Sequence, residues 1–146
     1  MHQIYLGLGT NLGDKEANLK AAVEEINKRV GEVTSLSAFY MTEPWGFVSE
    51  SSFLNAVCGV ETVLAPHDLL FITQEIERNL GRLKKTVDGI YSDRLIDIDI
   101  LLYDDLHLET PELTIPHPLM LKRNFVLKPL AEIAPELVKT MIREDV

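Results

Sequence analysis

The segment Leu95-Ile96-Asp97-Ile98-Asp99-Ile100-Leu101-Leu102-Tyr103 constrains this chain more than any other. Successive side chains of a strand point to opposite faces of its sheet. Ile96, Ile98, Ile100 and Leu102 therefore share the face expected to meet the core, while Asp97 and Asp99 share the other, roughly 6–7 Å apart at their α-carbons. Two carboxylates on an apolar strand repel, and each raises the other's pKa unless a cation offsets the charge.

Around this strand the periodicities alternate. Ile4-Tyr5-Leu6-Gly7-Leu8 reads as a short strand running into a glycine-rich turn. Over residues 14–30, Leu19, Ala22, Val23, Ile26 and Val30 follow helical spacing, with Gly31 placed to end the helix. Residues 33–41 and 53–63 read as strands. Pro66 suits the first turn of a second helix, with Leu69, Ile72, Ile76 and Leu80 on one face and Gly81 at its end. Residues 82–93 read as a long polar loop. After the strand at 95–103 come a turn at Asp104-Asp105, short extended pieces around Leu106 and Thr114, and a final helix over 126–133. The order β-α-β-β-α-β predicts an α+β fold, a ferredoxin-like sandwich with short C-terminal additions, formed as one domain over 1–146. Such a fold hosts many functions and decides nothing about chemistry.

With 146 residues, 46% of them hydrophobic and 25% charged, the chain can build an ordinary core. Fourteen basic against twenty-three acidic residues leave a net charge of −9, which disfavours adhesion to nucleic acid or an anionic membrane. The only cysteine, Cys58, excludes an internal disulfide and a multi-cysteine zinc site, and reads as a small buried apolar residue. No apolar run approaches the ~18 residues that span a bilayer, and Met1-His2-Gln3 does not open a signal peptide. The expectation is a cytoplasmic monomer without nucleic-acid or membrane partners.

Gly7-Leu8-Gly9-Thr10-Asn11-Leu12-Gly13 misses the dinucleotide fingerprint, which needs glycine where Leu12 stands. A tight strand-to-helix turn accounts for its glycines. Asp97 and Asp99 leave two readings open: a solvated face paired with nearby bases, or a seat for Mg²⁺ whose octahedral shells phosphate oxygens complete. Arg82, Lys84, Lys85 and Arg94 precede the strand, and Lys122 and Arg123 follow it, six of the fourteen bases. Charge runs are usually solvated, but a basic rim around an acidic centre favours a metal-bound polyphosphate. His117, between Pro116 and Pro118, is held stiffly and suits a donor to phosphate, although a lone histidine is more often structural. Trp45, Phe47, Phe53 and Phe125 offer stacking surfaces for a flat heterocycle, but taken singly each is better explained as core packing. Asn55, among apolar neighbours, needs partners for its amide, from a ring edge or from backbone.

Several segments, in order, resemble one family, the 6-hydroxymethyl-7,8-dihydropterin pyrophosphokinases of folate biosynthesis. They are Leu6-Gly7-Leu8-Gly9-Thr10-Asn11-Leu12-Gly13, Tyr40-Met41-Thr42-Glu43-Pro44-Trp45-Gly46, Phe53-Leu54-Asn55-Ala56-Val57, the strand from Arg94 to Tyr103, Ile115-Pro116-His117-Pro118 and Arg123-Asn124-Phe125-Val126-Leu127. The resemblance implies a ferredoxin-like fold and transfer of diphosphate from ATP to the pterin hydroxymethyl group, with release of AMP. It implies that Asp97 and Asp99 hold two Mg²⁺ ions between the phosphates, and that Arg82 and Arg94 assist the transfer. It places the pterin among Thr42, Pro44, Trp45, Phe53, Asn55 and Phe125, with Phe53 and Phe125 against the ring. Contacts to ATP fall to Gln74, Glu77, Lys84, Lys85, Arg94, Thr114, His117 and Arg123. The loop of residues 82–93 becomes a lid that brings Arg82 and Lys85 onto the phosphates. The chain departs from the family pattern at Tyr91-Ser92-Asp93, where Trp-Gly-Pro is common, and at Glu43 and Glu112. Two other classes compete: a Mg²⁺-dependent nucleotidyltransferase using the same acidic pair, and a non-catalytic ligand-binding module.

Overall fold

The computed structural model describes residues 1–42, 52–82 and 95–144. β1 (His2–Thr10) leads into α1 (Lys15–Arg29), followed by β2 (Gly31–Leu36), β3 (Tyr40–Thr42), β4 (Phe53–Thr62), α2 (Pro66–Arg82) and β5 (Asp97–Tyr103). The strands pair antiparallel in the order β2-β4-β1-β5, and β3 joins β4 beyond the end of β2. A two-stranded hairpin of β6 (Leu108–Glu109) and β7 (Thr114–Ile115) precedes a 3₁₀ turn over Met120–Lys122, α3 (Asn124–Ile133) and α4 (Pro135–Glu144). The fold is thus a mixture of helices and an antiparallel sheet.

Local chemistry accounts for the element ends. The Asp14 carboxylate caps α1 by accepting the Ala17 N–H at 3.1 Å, and Lys28 and Arg29 face the negative end of its dipole. Pro66 opens α2, where a missing N–H costs nothing. The turn after β5 places Asp104 at a φ of 49°, and its carboxylate accepts from the Gln3 N–H at 2.8 Å.

α1 ends at Arg29 with Val30 as its cap, and α2 at Arg82, beside the glycines expected to end them. Gly31 has no left-handed φ, however, and begins β2; glycine is needed there because a Cβ would sit 2.0 Å from the Glu61 carbonyl oxygen. Two further expectations are corrected. The strand expected over 33–41 is two strands. Between them the Ser37 hydroxyl enters the ladder, accepting the Val57 N–H at 3.0 Å, while the Ser37 N–H reaches the Val57 carbonyl at 2.9 Å. Finally, Leu102 leaves the face of Ile96, Ile98 and Ile100. The β1–β5 register runs Leu6↔Ile100 and then Tyr5↔Leu102, so Leu101 is an extra residue that flips the alternation beyond it.

Each sheet face has its own core. Ile4, Leu6, Leu8, Ala56, Cys58, Val60, Ile96, Ile98 and Ile100 pack on α1 and α2 through Leu19, Ile26, Leu69 and Ile76. Cys58 is fully buried there, and burial pushes its thiol pKa up to about 12, so it is an inert apolar filler. On the opposite face Val57, Leu101 and Leu102 meet Met120, Val126, Leu130 and Val138. The C-terminal elements, expected as short additions, therefore form a layer of their own, and α4 is a helix the sequence reading did not foresee.

Gly31→Ala is expected to destabilise the protein by about 1–3 kcal/mol, the usual cost of forcing an atom into a packed position. Urea unfolding followed by circular dichroism checks this.

Candidate functional site

The register of β1 builds the site. Gly9 pairs with Asn55 on one side and Asp97 on the other, and Gly7 pairs with Val57 and Asp99. Residues opposite one another in a ladder share a face. The two glycines thus leave a trough without side chains between the Asn55 row and the two aspartates. A Cβ on Gly9 would lie 3.1 Å from Asn55 Oδ1, and one on Gly7 3.4 Å from the Leu101 methyl groups. These glycines do not make the turn expected of them. They lie inside β1, and of this stretch only Gly13 has a left-handed φ, at 60°.

The trough is the floor of a cleft of about 360 Å³, within the range of small-molecule sites. Thr42 and Phe53 form one wall, and Arg123, Phe125 and Val126 at the start of α3 form the other. Phe53 is 37% exposed although apolar, so its ring is available for contact. Phe125 is half-buried, with the Arg123 guanidinium carbon 5.5 Å from its ring centre. Asn55 is buried, and its Nδ2 donates to Thr42 Oγ1 at 2.7 Å. That bond fixes the amide with Oδ1 over Gly9. Asp97 is half-buried and Asp99 exposed.

Beyond the cleft, one side chain and one backbone group secure the outer edge of β5. Glu77 Oε2 accepts the Ile98 N–H at 2.8 Å, which holds the backbone between the two aspartates. The His117 N–H donates to the Leu101 carbonyl at 3.0 Å. Its Nδ1 accepts the Leu119 N–H at 3.3 Å, so the neutral ring carries its proton on Nε2. Burial lowers the His117 pKa below the ordinary 6.5; Asp99 acts to raise it and Arg123 to lower it further.

The structure therefore brings Thr42, Phe53, Asn55, Asp97, Asp99, Arg123 and Phe125 to one cleft. Gln74, Glu77, Thr114 and His117 do not line it. Glu77 and His117 hold the β5 backbone instead, exposed Gln74 lies about one turn before Glu77 on α2, and half-buried Thr114 lies in β7. Arg82 closes α2. Pro44, Trp45, Phe47, Lys84, Lys85 and Arg94, and the lid expected over 82–93 apart from Arg82, lie outside the described residues. Gly7 and Gly9 are the residues that residue-type reasoning missed as site formers. Their two-residue spacing ahead of Thr10 was the available signal, because it puts both on one face of a strand.

Residues 5–135 match the family model described as 7,8-dihydro-6-hydroxymethylpterin-pyrophosphokinase (HPPK). The chain belongs to this family. A 2-amino-4-hydroxy-6-hydroxymethyldihydropteridine pyrophosphokinase of Porphyromonas gingivalis is 53% identical over 135 residues, covering 92% of each chain. The protein of the same name from Bacillus subtilis is 41% identical over 136 residues, covering 92% of this chain and 80% of its own. Among solved structures, wild-type HPPK-DHPS of Plasmodium falciparum superposes with a TM-score of 0.71 at 19% identity, over 93% of this chain and 40% of that one. That likeness concerns the fold.

The donor set of the cleft suits a hard divalent cation. Among the described residues no group of three or more His, Cys, Asp or Glu side chains is placed to hold a metal. Mg²⁺, however, is ordinarily held by one or two carboxylates, with waters and substrate phosphates completing its octahedron. In this member of the family Asp97 and Asp99, on one face of β5 and both lining the cleft, fit that requirement.

A histidine with a depressed folded pKa binds fewer protons than the unfolded chain between the two pKa values, so its contribution to stability is present above the unfolded pKa and lost as pH falls through the folded one. NMR titration of His117 is expected to give a midpoint below 6.5. The His117→Gln variant is expected to lose that part of the pH dependence of unfolding.

Proposed function

We propose that this protein transfers diphosphate from ATP to 6-hydroxymethyl-7,8-dihydropterin, giving AMP and the pterin diphosphate, a step of folate biosynthesis. The observation that carries this reading is the meeting in one cleft of a buried amide on β4 and two carboxylates on β5, facing each other across the glycines of β1, with Phe53, Phe125 and the Arg123 guanidinium lining the same space. The amide and the rings suit a flat polar heterocycle, and the carboxylates and the guanidinium suit a metal-bound polyphosphate. Membership of the pyrophosphokinase family supports it independently. The strand order β2-β4-β1-β5, with α1 and α2 on one face, supports the ferredoxin-like description, and one domain over 1–146 goes with it.

In this reading Phe53 and Phe125 take the two faces of the pterin, where apolar contact and π-stacking favour a flat ring. Asn55, held by Thr42, presents its carbonyl oxygen to ring N–H groups, and Pro44 and Trp45 complete the pterin side. The hydroxymethyl arm lies over Gly9, directed at the phosphates above β5. Asp97 and Asp99 would hold two Mg²⁺ ions, whose charge stabilises the phosphate oxygens and lowers the pKa of a neighbouring hydroxyl. Arg123, at the positive end of the α3 dipole, and the Nε2–H of His117 offer donors to the same phosphates. Arg82, Lys84, Lys85 and Arg94 add positive charge around the transferring group. Gln74, Glu77 and Thr114 lie on the nucleotide side of β5, where Glu77 also keeps the two aspartates in register.

The hydroxyl oxygen then bonds to the β-phosphorus in line while its proton passes to solvent, the bond from the β-phosphorus to the oxygen bridging to the α-phosphate breaks, and AMP leaves with that oxygen. The protein's contribution is position and charge. Action as a monomer in the cytoplasm on small-molecule substrates belongs to this reading, and the net charge of −9 disfavours nucleic acid and anionic membrane as partners. Among the described residues no helix is long and apolar enough to cross a membrane.

AMP production that requires the hydroxymethylpterin is the expected result of a product assay; pyrophosphate release in its place would assign nucleotidyl transfer. Asp97→Asn is expected to lower turnover about 10³-fold or more while circular dichroism stays unchanged. An unaltered rate would refute the metal-holding role. Phe125→Ala is expected to weaken pterin binding more than ATP binding by calorimetry, and equal losses would argue against stacking.

A further inference from the structure

We infer that Glu132, which does not line the cleft, is a positioning residue that ties its two walls together. α3 carries Arg123, Phe125 and Val126 to the cleft at one end and Glu132 near the other. Across from Glu132 lies the break between β2 and β3. The β2–β4 ladder ends at Leu36↔Cys58 and the β3–β4 ladder begins at Tyr40↔Asn55.

Both oxygens of Glu132 grip that break. Oε2 accepts the Ala38 N–H at 2.8 Å, and Oε1 accepts the Tyr40 hydroxyl. The acceptor pushes the Tyr40 pKa up, so the phenol keeps the proton it donates. Lys128, one turn earlier on α3, places its ammonium 5.3 Å from the centre of the Tyr40 ring. Two side chains of α3 thus hold one side chain of β3.

From Tyr40 the connection to the cleft is short. Tyr40 pairs with Asn55 in the ladder, Thr42 stands two residues on, on the same face, and Asn55 Nδ2 donates to Thr42 Oγ1. Displacing Tyr40 therefore displaces the Thr42–Asn55 pair relative to Phe125. The chain leaving β3 also carries Pro44 and Trp45. Glu132 is itself exposed, and an exposed polar clamp contributes little to folding stability. What it changes is the spacing between the Thr42–Phe53–Asn55 wall and the Arg123–Phe125 wall.

This inference rests on the pterin reading, and the test separates the two. Calorimetry with hydroxymethyldihydropterin, a non-hydrolysable ATP analogue and Mg²⁺ is run on the intact chain and on Glu132→Ala, Tyr40→Phe and the double variant. Glu132→Ala is expected to raise the pterin Kd about five- to tenfold, Tyr40→Phe less, and the double variant no more than Glu132→Ala alone. The Kd for the ATP analogue and the melting temperature should stay close to wild type. An unmoved pterin Kd, additive effects, or equal losses for both ligands together with a lower melting temperature would overturn the positioning role. Wild-type protein that binds no pterin would instead overturn the underlying reading. Should Glu132→Ala not fold, Tyr40→Phe alone decides, since it removes one oxygen atom from an exposed bond.

Discussion

Antiparallel pairing holds β1 between β4 and β5 in one register, and the site exists because of it. With that register Gly9 falls between Asn55 and Asp97, and Gly7 between Val57 and Asp99. A slip of one residue would turn every side chain of β1 to the opposite face. The slip is resisted from the other side of the sheet, where Ile4, Leu6 and Leu8 are buried against α1 and α2. Hydrophobic burial on one face thus sets the geometry of polar groups on the other.

That second face is divided. Towards the end of β5 it is closed by Leu101, Leu102, Met120 and Leu130, helped by the bulge that brings Leu102 round. Towards Gly9 and Asp97 it stays open and forms the cleft. The start of α3 stands at the border, so a single helix both covers core and delivers Arg123 and Phe125 to the site. Charge follows the same division. A chain with net charge −9 places a guanidinium and a neutral histidine near its two aspartates. The local field around the aspartates thus differs from what the sum suggests.

Much of the fold was legible because its signals are periodic and local. The helices beginning at Asp14 and Pro66, the strand with alternating Ile and Asp, and the Asp104 turn follow from spacing, capping and propensity. The missed features share a different cause. Gly31 reads as a helix stop, whereas the need for glycine there comes from the Glu61 backbone against it. The division of residues 33–41 depends on the Ser37 hydroxyl meeting Val57, twenty residues away, and the loss of Leu102 from its expected face depends on a bulge against β1. Each is a contact between segments distant in sequence, which no local pattern encodes. The candidate site shows the same split: Asp97, Asp99, Asn55 and the two phenylalanines announce themselves by residue type, whereas Gly7, Gly9 and Glu132 act only through what lies opposite them.

By itself, then, the sequence determined the alternation of strands and helices through β5, short of the break between β2 and β3, the shared face of Asp97 and Asp99 and, through its ordered motifs, the family. Periodicity and residue chemistry carry that much, since both are properties of neighbouring residues. Tertiary structure alone decided that the glycines form the floor of a cleft, that Glu77 and His117 hold the β5 backbone outside it, and that α3 spans from Phe125 to the Glu132 clamp. Those outcomes depend on strand register and helix placement, which are settled by packing of remote segments against one another and by nothing that a single stretch of chain contains.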